Sequence, residues 1–156
     1  MENINKELVA KYKHIVSAGN EKELYKWQLV EKFKGKPDTN AVDFAAEFSQ
    51  VSYGNLIYQM ANAVRLHLLK QKPEEYRQIV ASLFDESQPL KERIVSFQKE
   101  IADLYKSTGA TLHHHHDERT IATFLAFKYP EKYPLYKSGI YTRLLQNVGR
   151  KTCAKK

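Results

Sequence analysis

Cysteine is nearly absent from this chain of 156 residues, since Cys153 is the only one and lies in a short basic segment near the C-terminus. One cysteine excludes an intrachain disulfide and favours a reducing compartment. No apolar run approaches the roughly 20 residues that a membrane-spanning helix needs. The first residues mix charged and apolar side chains, unlike a signal peptide. We therefore expect a cytoplasmic protein with no membrane partner.

The motifs of common catalytic sites are also missing. The sequence contains no GxxxxGKS/T phosphate-binding loop, no HExxH zinc motif and no GxSxG nucleophile motif. The segment Gly149-Arg150-Lys151-Thr152 ends like a phosphate-binding loop but lacks the upstream glycine and a preceding strand. We therefore expect a chain that is not an enzyme and that needs no cofactor.

Alternating β patterns are lacking as well, whereas apolar residues recur at three- and four-residue spacing along most of the chain. Asp, Asn or Ser before such stripes, Pro in first turns and Gly after them indicate helix ends. The sequence thus predicts an all-α fold, with one compact domain of about eight helices over residues 1–149 and a basic tail or linker at 150–156. The first predicted helix runs from Asn5 to Ala18 before Gly19, and the second runs from the Asn20–Glu23 cap to near Gly35 and contains Leu24, Trp27 and Phe33. The next three are predicted to begin at Asn40 or Asp43, at a cap formed by Gly54-Asn55, and at Pro73. The last three are predicted to run from Pro89 to Gly109, from Asp117 to before Pro130, and from a cap at Ser138 to Val148.

Four adjacent histidines, His113 to His116, stand between two predicted helices. Consecutive side chains diverge, whereas a folded zinc site uses spaced ligands, so we expect a polar surface loop and no metal site. Replacing all four by serine is then expected to change stability by no more than about 0.5 kcal/mol. A metal site is the alternative, and a pH-sensing role stays open because histidine titrates near neutrality.

Positive charge is concentrated near the C-terminus. Residues 117–156 hold nine Lys and Arg against three Asp and Glu, a net charge of +6, whereas residues 1–116 hold sixteen against fifteen, a net charge of +1. Such an excess steers acidic partners, most often nucleic acid. Surplus lysine that keeps the domain soluble is the other interpretation.

Within this region, residues 127–137 form an aromatic-basic segment in which tyrosines alternate with lysines. Lysine contacts phosphates, and tyrosine offers a ring for stacking on a base. Tyrosines beside prolines also commonly pack a loop onto its domain and direct only the hydroxyl outward. The sequence leaves both interpretations of these rings open.

Several segments together resemble one known family. They are Leu24-Tyr25-Lys26-Trp27, Asp43-Phe44-Ala45, Asn55-Leu56, Pro73-Glu74, Leu83-Phe84-Asp85-Glu86, Arg93-Ile94 and the stretches Asp117–Ile121 and Tyr129–Lys137. In this order they are similar to the helical N-terminal region that precedes the motor domain in McrB-like proteins, AAA+ nucleotidases of modification-dependent (type IV) restriction systems. The resemblance covers roughly residues 20–145.

The resemblance implies a non-catalytic domain that recognises double-stranded DNA, with or without a modified base, for an AAA+ motor domain and a nuclease subunit. Lysine and arginine would then contact phosphates, and tyrosines would stack on bases or line a pocket for a flipped base. An interaction module that docks onto the motor or the nuclease without touching DNA is the alternative. The candidate DNA-binding residues are Lys128, Tyr129, Lys132, Tyr133, Tyr136, Lys137, Tyr141 and Arg143.

Overall fold

Helices account for most of the part of the chain that the structure, a computed structural model, describes, namely residues 2–17 and 24–147. The helices are α1 (Glu2–Ser17), α2 (Leu24–Lys32), α3 (Phe44–Gln50), α4 (Gln59–Gln71), α5 (Pro73–Phe84), α6 (Leu90–Ser107), α7 (Glu118–Lys128) and α8 (Ser138–Asn147). No β-strand occurs in the two described ranges, and the predicted all-α class is confirmed. None of these helices is long and apolar enough to cross a membrane.

Three predicted helix starts are confirmed at the atomic level. The Asp43 carboxylate accepts the Ala46 N–H at 2.8 Å before α3, and the Asp117 carboxylate accepts the Thr120 N–H at 3.0 Å before α7. Each such cap satisfies a backbone donor that the first turn leaves free. Pro73 occupies the first turn of α5, where no backbone N–H is needed.

The predicted start of α4 is wrong. A cap at Gly54-Asn55 is expected from the sequence, but α4 begins at Gln59. Gly54 instead has a φ of +52°, and the Leu56 N–H donates to the Tyr53 carbonyl at 2.9 Å in a turn. This turn directs the side chains of Tyr53 and Leu56 into the core, where both are buried.

Smaller differences concern other helix ends. Helix α1 already begins at Glu2 rather than after Asn5, Pro89 precedes α6 instead of lying in its first turn, and Ser138 is the first residue of α8. Helix ends fray, so shifts of a few residues change little in the architecture. Outside the described residues lie Gly19, the Asn20–Glu23 cap, Val148 and the tail 150–156.

The core is aromatic, and Phe124 of α7 lies at its centre. Its ring centroid lies 5.6 Å from that of Phe48 in α3, 5.1 Å from that of Tyr53 and 6.4 Å from that of Phe97 in α6. Tyr76 of α5 stacks on Phe48, with 5.7 Å between the centroids. These contacts join one contiguous buried cluster, as expected for a single compact domain.

A buried arginine ties α3 to α4. The Arg65 guanidinium donates to the carbonyls of Phe48 and Val51 just where α3 ends, and to the Asn62 side-chain oxygen at 2.8 Å. It also lies 5.0 Å from the ring centroid of Phe48 and 5.5 Å from that of Tyr53. Burial lowers the pKa of Arg65, and the nearby Tyr53 hydroxyl works in the opposite direction. The backbone carbonyls replace the hydration that this charge has lost.

Candidate functional site

The eight predicted DNA-binding residues fall into two sets, and the first set is engaged within the domain. The Lys128 ammonium donates to the carbonyls of Gly35 at 3.1 Å and Pro37 at 3.4 Å. The half-buried Tyr129 donates its hydroxyl to the carbonyl of Phe84 at 3.0 Å and packs edge-on against that ring. Both residues attach the aromatic-basic segment to neighbouring elements.

Lys132 and Tyr133 complete this first set. The Lys132 ammonium lies 2.6 Å from the Glu86 carboxylate, which also accepts the Tyr133 hydroxyl at 2.8 Å. The Tyr133 oxygen in turn accepts from the Arg93 guanidinium at 2.8 Å. The hydrogen bond from Lys132, followed by that from Tyr133, lowers the pKa of Glu86. Four groups thus hold this loop against the ends of α5 and α6.

The second set comprises Tyr136, Lys137, Tyr141 and Arg143, which lie just before α8 or within it. The rings of Tyr136 and Tyr141 contact each other, with 5.9 Å between their centroids. Tyr141 is 49% exposed, and Lys137 and Arg143 are exposed. Neither of these two cations forms an ion pair with another described residue. Their charges therefore face solvent.

Next to this second set lies a cleft of about 450 Å³, which we call the aromatic cleft. Helices α1, α2, α7 and α8 and two connecting loops contribute to it. Trp27 and Tyr12 are 48% and 46% exposed, so their rings remain accessible. The lining residues are Tyr12, Tyr25, Lys26, Trp27, Asn55, Leu56, Arg119, Thr123, Leu135, Tyr136, Lys137 and Ile140.

Hydrogen bonds between elements distant in sequence fix one wall of the aromatic cleft. Arg119 of α7 donates from Nε to the Leu56 carbonyl at 2.7 Å and from a terminal nitrogen to the Asn55 carbonyl. The Tyr25 hydroxyl of α2 donates to the Asn55 side-chain oxygen. The guanidinium of Arg119 is thereby held in place in the wall.

Sequence reasoning finds only two residues of the aromatic cleft, Tyr136 and Lys137. The rings of Tyr12, Tyr25 and Trp27 come from helices about a hundred residues away, and no motif links them to the aromatic-basic segment. The sequence carries one signal, because Trp27 is the only tryptophan of the chain. An exposed tryptophan on a short helix is typical of a contact surface.

A second depression, the apolar groove, lies on the other side of Tyr136. It has a volume of about 510 Å³ and is bounded by α6, α7, α8 and the aromatic-basic segment. Tyr136 lines both the aromatic cleft and the apolar groove. The apolar groove is lined by Leu90, Ile94, Glu118, Ile121, Ala122, Leu125, Tyr133, Pro134, Tyr136 and Tyr141.

The histidine run is not the surface loop expected from the sequence. His113 is exposed, but His116 is fully buried, and its Nε2 lies 3.0 Å from the Tyr76 hydroxyl. The surface-loop prediction is wrong for His116, because its ring fills space between Phe97 and Phe124. Serine there would leave a cavity, so the expected neutrality of the fourfold serine replacement no longer holds. Among the described residues, no group of three His, Cys, Asp or Glu is arranged to hold a metal ion.

Comparison with known proteins adds no relative from which a function could be transferred. No protein-family model, no curated protein and no solved structure matches this chain. The McrB-like resemblance stays a prediction. What the chain does must be inferred from the aromatic cleft itself, which gathers four aromatic rings and three cations from separate parts of the fold.

Proposed function

We propose that this domain is a non-catalytic DNA-binding module that holds a single base in the aromatic cleft. The main support is that four aromatic rings and two cations line one accessible cleft. The rings are those of Tyr12, Tyr25, Trp27 and Tyr136, and the cations are Lys137 and Arg119. A base reaches such a space only from single-stranded DNA or after extrusion from a duplex.

The shape and lining of the aromatic cleft support this proposal. Its volume lies within the roughly 300–1,000 Å³ of small-molecule sites. Aromatic rings accept the face of any base, and each stack contributes about 1–3 kcal/mol. Asn55 adds a side-chain amide at the wall that suits the edge of a base.

The charges around the aromatic cleft favour DNA over a neutral ligand. Its described lining includes Lys26, Arg119 and Lys137 but no carboxylate. Lys137, which lines the cleft, and Arg143, farther along α8, face solvent and are available to a phosphate backbone. Among the eight predicted residues, the proposal therefore relies on Tyr136, Lys137 and Arg143 rather than on the four that hold the loop.

Reversing Lys137 and Arg143 to glutamate should weaken binding to every DNA sequence, because phosphate contacts do not distinguish bases. The slope of log K against log salt concentration should become flatter by roughly 1.4–1.8, since each of the two lost contacts removes roughly 0.7–0.9. Fluorescence anisotropy with single-stranded and duplex DNA over a salt series measures both effects. The matched control reverses two exposed lysines of α6, Lys99 and Lys106, and should keep the slope. Equal slopes for the two double variants would argue against phosphate contact at this site.

Replacing Trp27 by alanine should cost about 1–3 kcal/mol of DNA-binding free energy, because a stacking ring is lost. The salt slope should not change, since no charge is removed. Trp27→Phe keeps a ring and should recover most of the affinity. Thermal unfolding should change little, because the side chain is about half exposed. If Trp27→Ala binds unmodified DNA and cytosine- and adenine-modified duplexes as tightly as the unaltered protein does, the aromatic cleft does not hold a base.

The second candidate function is docking onto a protein partner without DNA contact. The apolar groove favours it, because its lining is almost wholly aliphatic and aromatic. If the McrB-like resemblance is correct, the partner would be the AAA+ motor domain or the nuclease subunit. Absence of salt-sensitive DNA affinity at low ionic strength would favour docking, because apolar contacts depend little on salt.

A further inference from the structure

The segment between α6 and α7 carries a run of ring hydrogen bonds that depend on protonation. We call residues His113–His116 the histidine strap. The His115 N–H donates to Nδ1 of His113 at 2.9 Å, and the His116 N–H donates to Nδ1 of His114 at 3.1 Å. A ring nitrogen accepts a hydrogen bond only while it carries no proton. Both contacts therefore require neutral rings.

The buried ring of His116 makes a third contact of this kind. Its Nδ1 lies 2.8 Å from the His114 carbonyl, which only accepts, so Nδ1 carries the hydrogen. Nε2 must then accept from the Tyr76 hydroxyl at 3.0 Å. A second proton on this ring would break the contact with Tyr76 and place a charge inside the core.

The groups that face His116 give this charge little compensation. Tyr76 from α5, Phe97 from α6 and Phe124 from α7 surround the ring without a carboxylate. Burial is the main cause that lowers its pKa, to about 4. The His114 carbonyl raises it, the charge that His114 would carry when protonated and the charge of Arg65 lower it, and Asp117 raises it.

The histidine strap leads directly into the first turn of α7. Asp117 caps that turn, and the Thr120 hydroxyl lies 3.4 Å from the His115 carbonyl. Arg119 in the same turn holds the carbonyls of Asn55 and Leu56. The strap and the hydrogen bonds of Arg119 therefore together hold the start of α7 against the core.

We propose that the histidine strap is a proton-released latch: neutral rings fasten the start of α7 to the core, and uptake of a proton by the ring of His116 in mildly acidic solution shifts the balance towards release while the other helices remain folded. The latch does not depend on DNA binding, since every contact involved lies within the domain.

The direction of the pH effect follows from the two states of His116. In the open state the ring takes up a proton below its ordinary pKa of about 6.5, whereas in the closed state it stays neutral down to about pH 4. The closed state is thus fully favoured above pH 6.5 and progressively loses that advantage as the pH falls towards 4. His116 alone should raise the ratio of open to closed molecules about 20-fold between pH 7 and pH 5.

Amide hydrogen exchange followed by NMR tests the latch on the whole chain. After correction for the intrinsic rates, protection of the His115, His116 and Thr120 amides should fall about 20-fold from pH 7 to pH 5. At both pH values it should stay below the protection of the α5 and α6 amides, and circular dichroism should remain helical. Unchanged protection of the strap amides would overturn the proposal. Protection equal to that of α5 and α6 would overturn it too, because the strap would then open only by global unfolding.

Variants show how much each histidine ring contributes to the pH-dependent fall in protection. His116→Gln keeps an acceptor for Tyr76 but does not titrate, so the 20-fold fall should disappear. His113→Asn with His114→Asn keeps side-chain acceptors for the backbone and should retain most of the fall that His116 provides. If His116→Gln does not fold, the latch is tested instead by following the NMR signals of the His116 ring in the unaltered protein as the pH is lowered. Their titration near pH 6.5 with the strap amides still protected would contradict the latch.

Discussion

Replacement of Phe124 by alanine should lower the free energy of unfolding by about 3–5 kcal/mol, the range observed for deleting a buried aromatic side chain. The ring is fully buried and contacts the rings of Phe48, Tyr53, Phe97 and His116 from four different elements. Because these elements are also held by other contacts, they collapse only partly into the space left behind. Urea denaturation followed by far-UV circular dichroism measures the loss.

The control for this change is Val42→Ala, because the Val42 side chain is fully exposed. It should alter the unfolding free energy by less than about 0.5 kcal/mol. A loss below about 1 kcal/mol for Phe124→Ala would contradict the central position of this ring in the core.

Replacing Arg65 with methionine should cost about 2–4 kcal/mol of stability, although it removes a buried charge. Losing the desolvated guanidinium is favourable in itself. The carbonyls of Phe48 and Val51, however, lose their donor inside the core, at about 1–3 kcal/mol for each unsatisfied group. Asn62 loses its partner as well. Methionine keeps much of the packing against the rings, so the measured loss reports mainly on hydrogen bonds.

Arg77→Met is the matched control for Arg65→Met. The Arg77 guanidinium also lies near a ring, that of Phe44, but its ion-pair partner Glu74 is largely exposed. Such surface pairs contribute less than about 1 kcal/mol. Equal losses at the two positions, again from urea denaturation, would show that the carbonyls at the end of α3 do not depend on Arg65.

The helices themselves could be predicted because their signals are local. Asp43 and Asp117 sit directly before apolar stripes, and both accept the backbone donors that such residues cap in proteins. The α4 start was missed for a non-local reason. Nothing near Gly54 indicates that Tyr53 and Leu56 are needed in the core contributed by α3, α5 and α7. The packing of Tyr53 and Leu56 in the core outweighs the local preference for a helix cap at Gly54-Asn55, and α4 begins only at Gln59.

Buried polar residues were beyond the reach of sequence patterns. Arg65, Arg93 and His116 are 2%, 6% and 0% exposed, although arginine is mostly exposed in proteins and histidine is intermediate. Each forms hydrogen bonds with carbonyls or a hydroxyl of other elements. Those partners lie 10 to 40 residues away along the chain. The sequence therefore predicts a solvent-exposed loop for the four histidines, although one of them, His116, belongs to the core.

The candidate site was predicted in part for a related reason. The alternation of tyrosine and lysine marks the loop but does not tell which cations are already paired. Glu86, 46 residues before Lys132, decides that this lysine holds the loop. Lys137 has no such partner among the described residues and lies at the aromatic cleft. Which candidate residues hold the loop and which remain available to a ligand is thus decided only by the folded structure.

The location of Trp27 gives the unlabelled protein an optical reporter. The chain has ten tyrosines but one tryptophan, and tryptophan absorbs at longer wavelengths than tyrosine. Excitation at the red edge therefore selects a single indole, which lines the aromatic cleft and is about half exposed. A base stacked on that indole would quench its emission, and water excluded from the aromatic cleft would shift the emission to the blue. Occupancy of this one place in the fold can thus be followed by intrinsic fluorescence without attaching a dye.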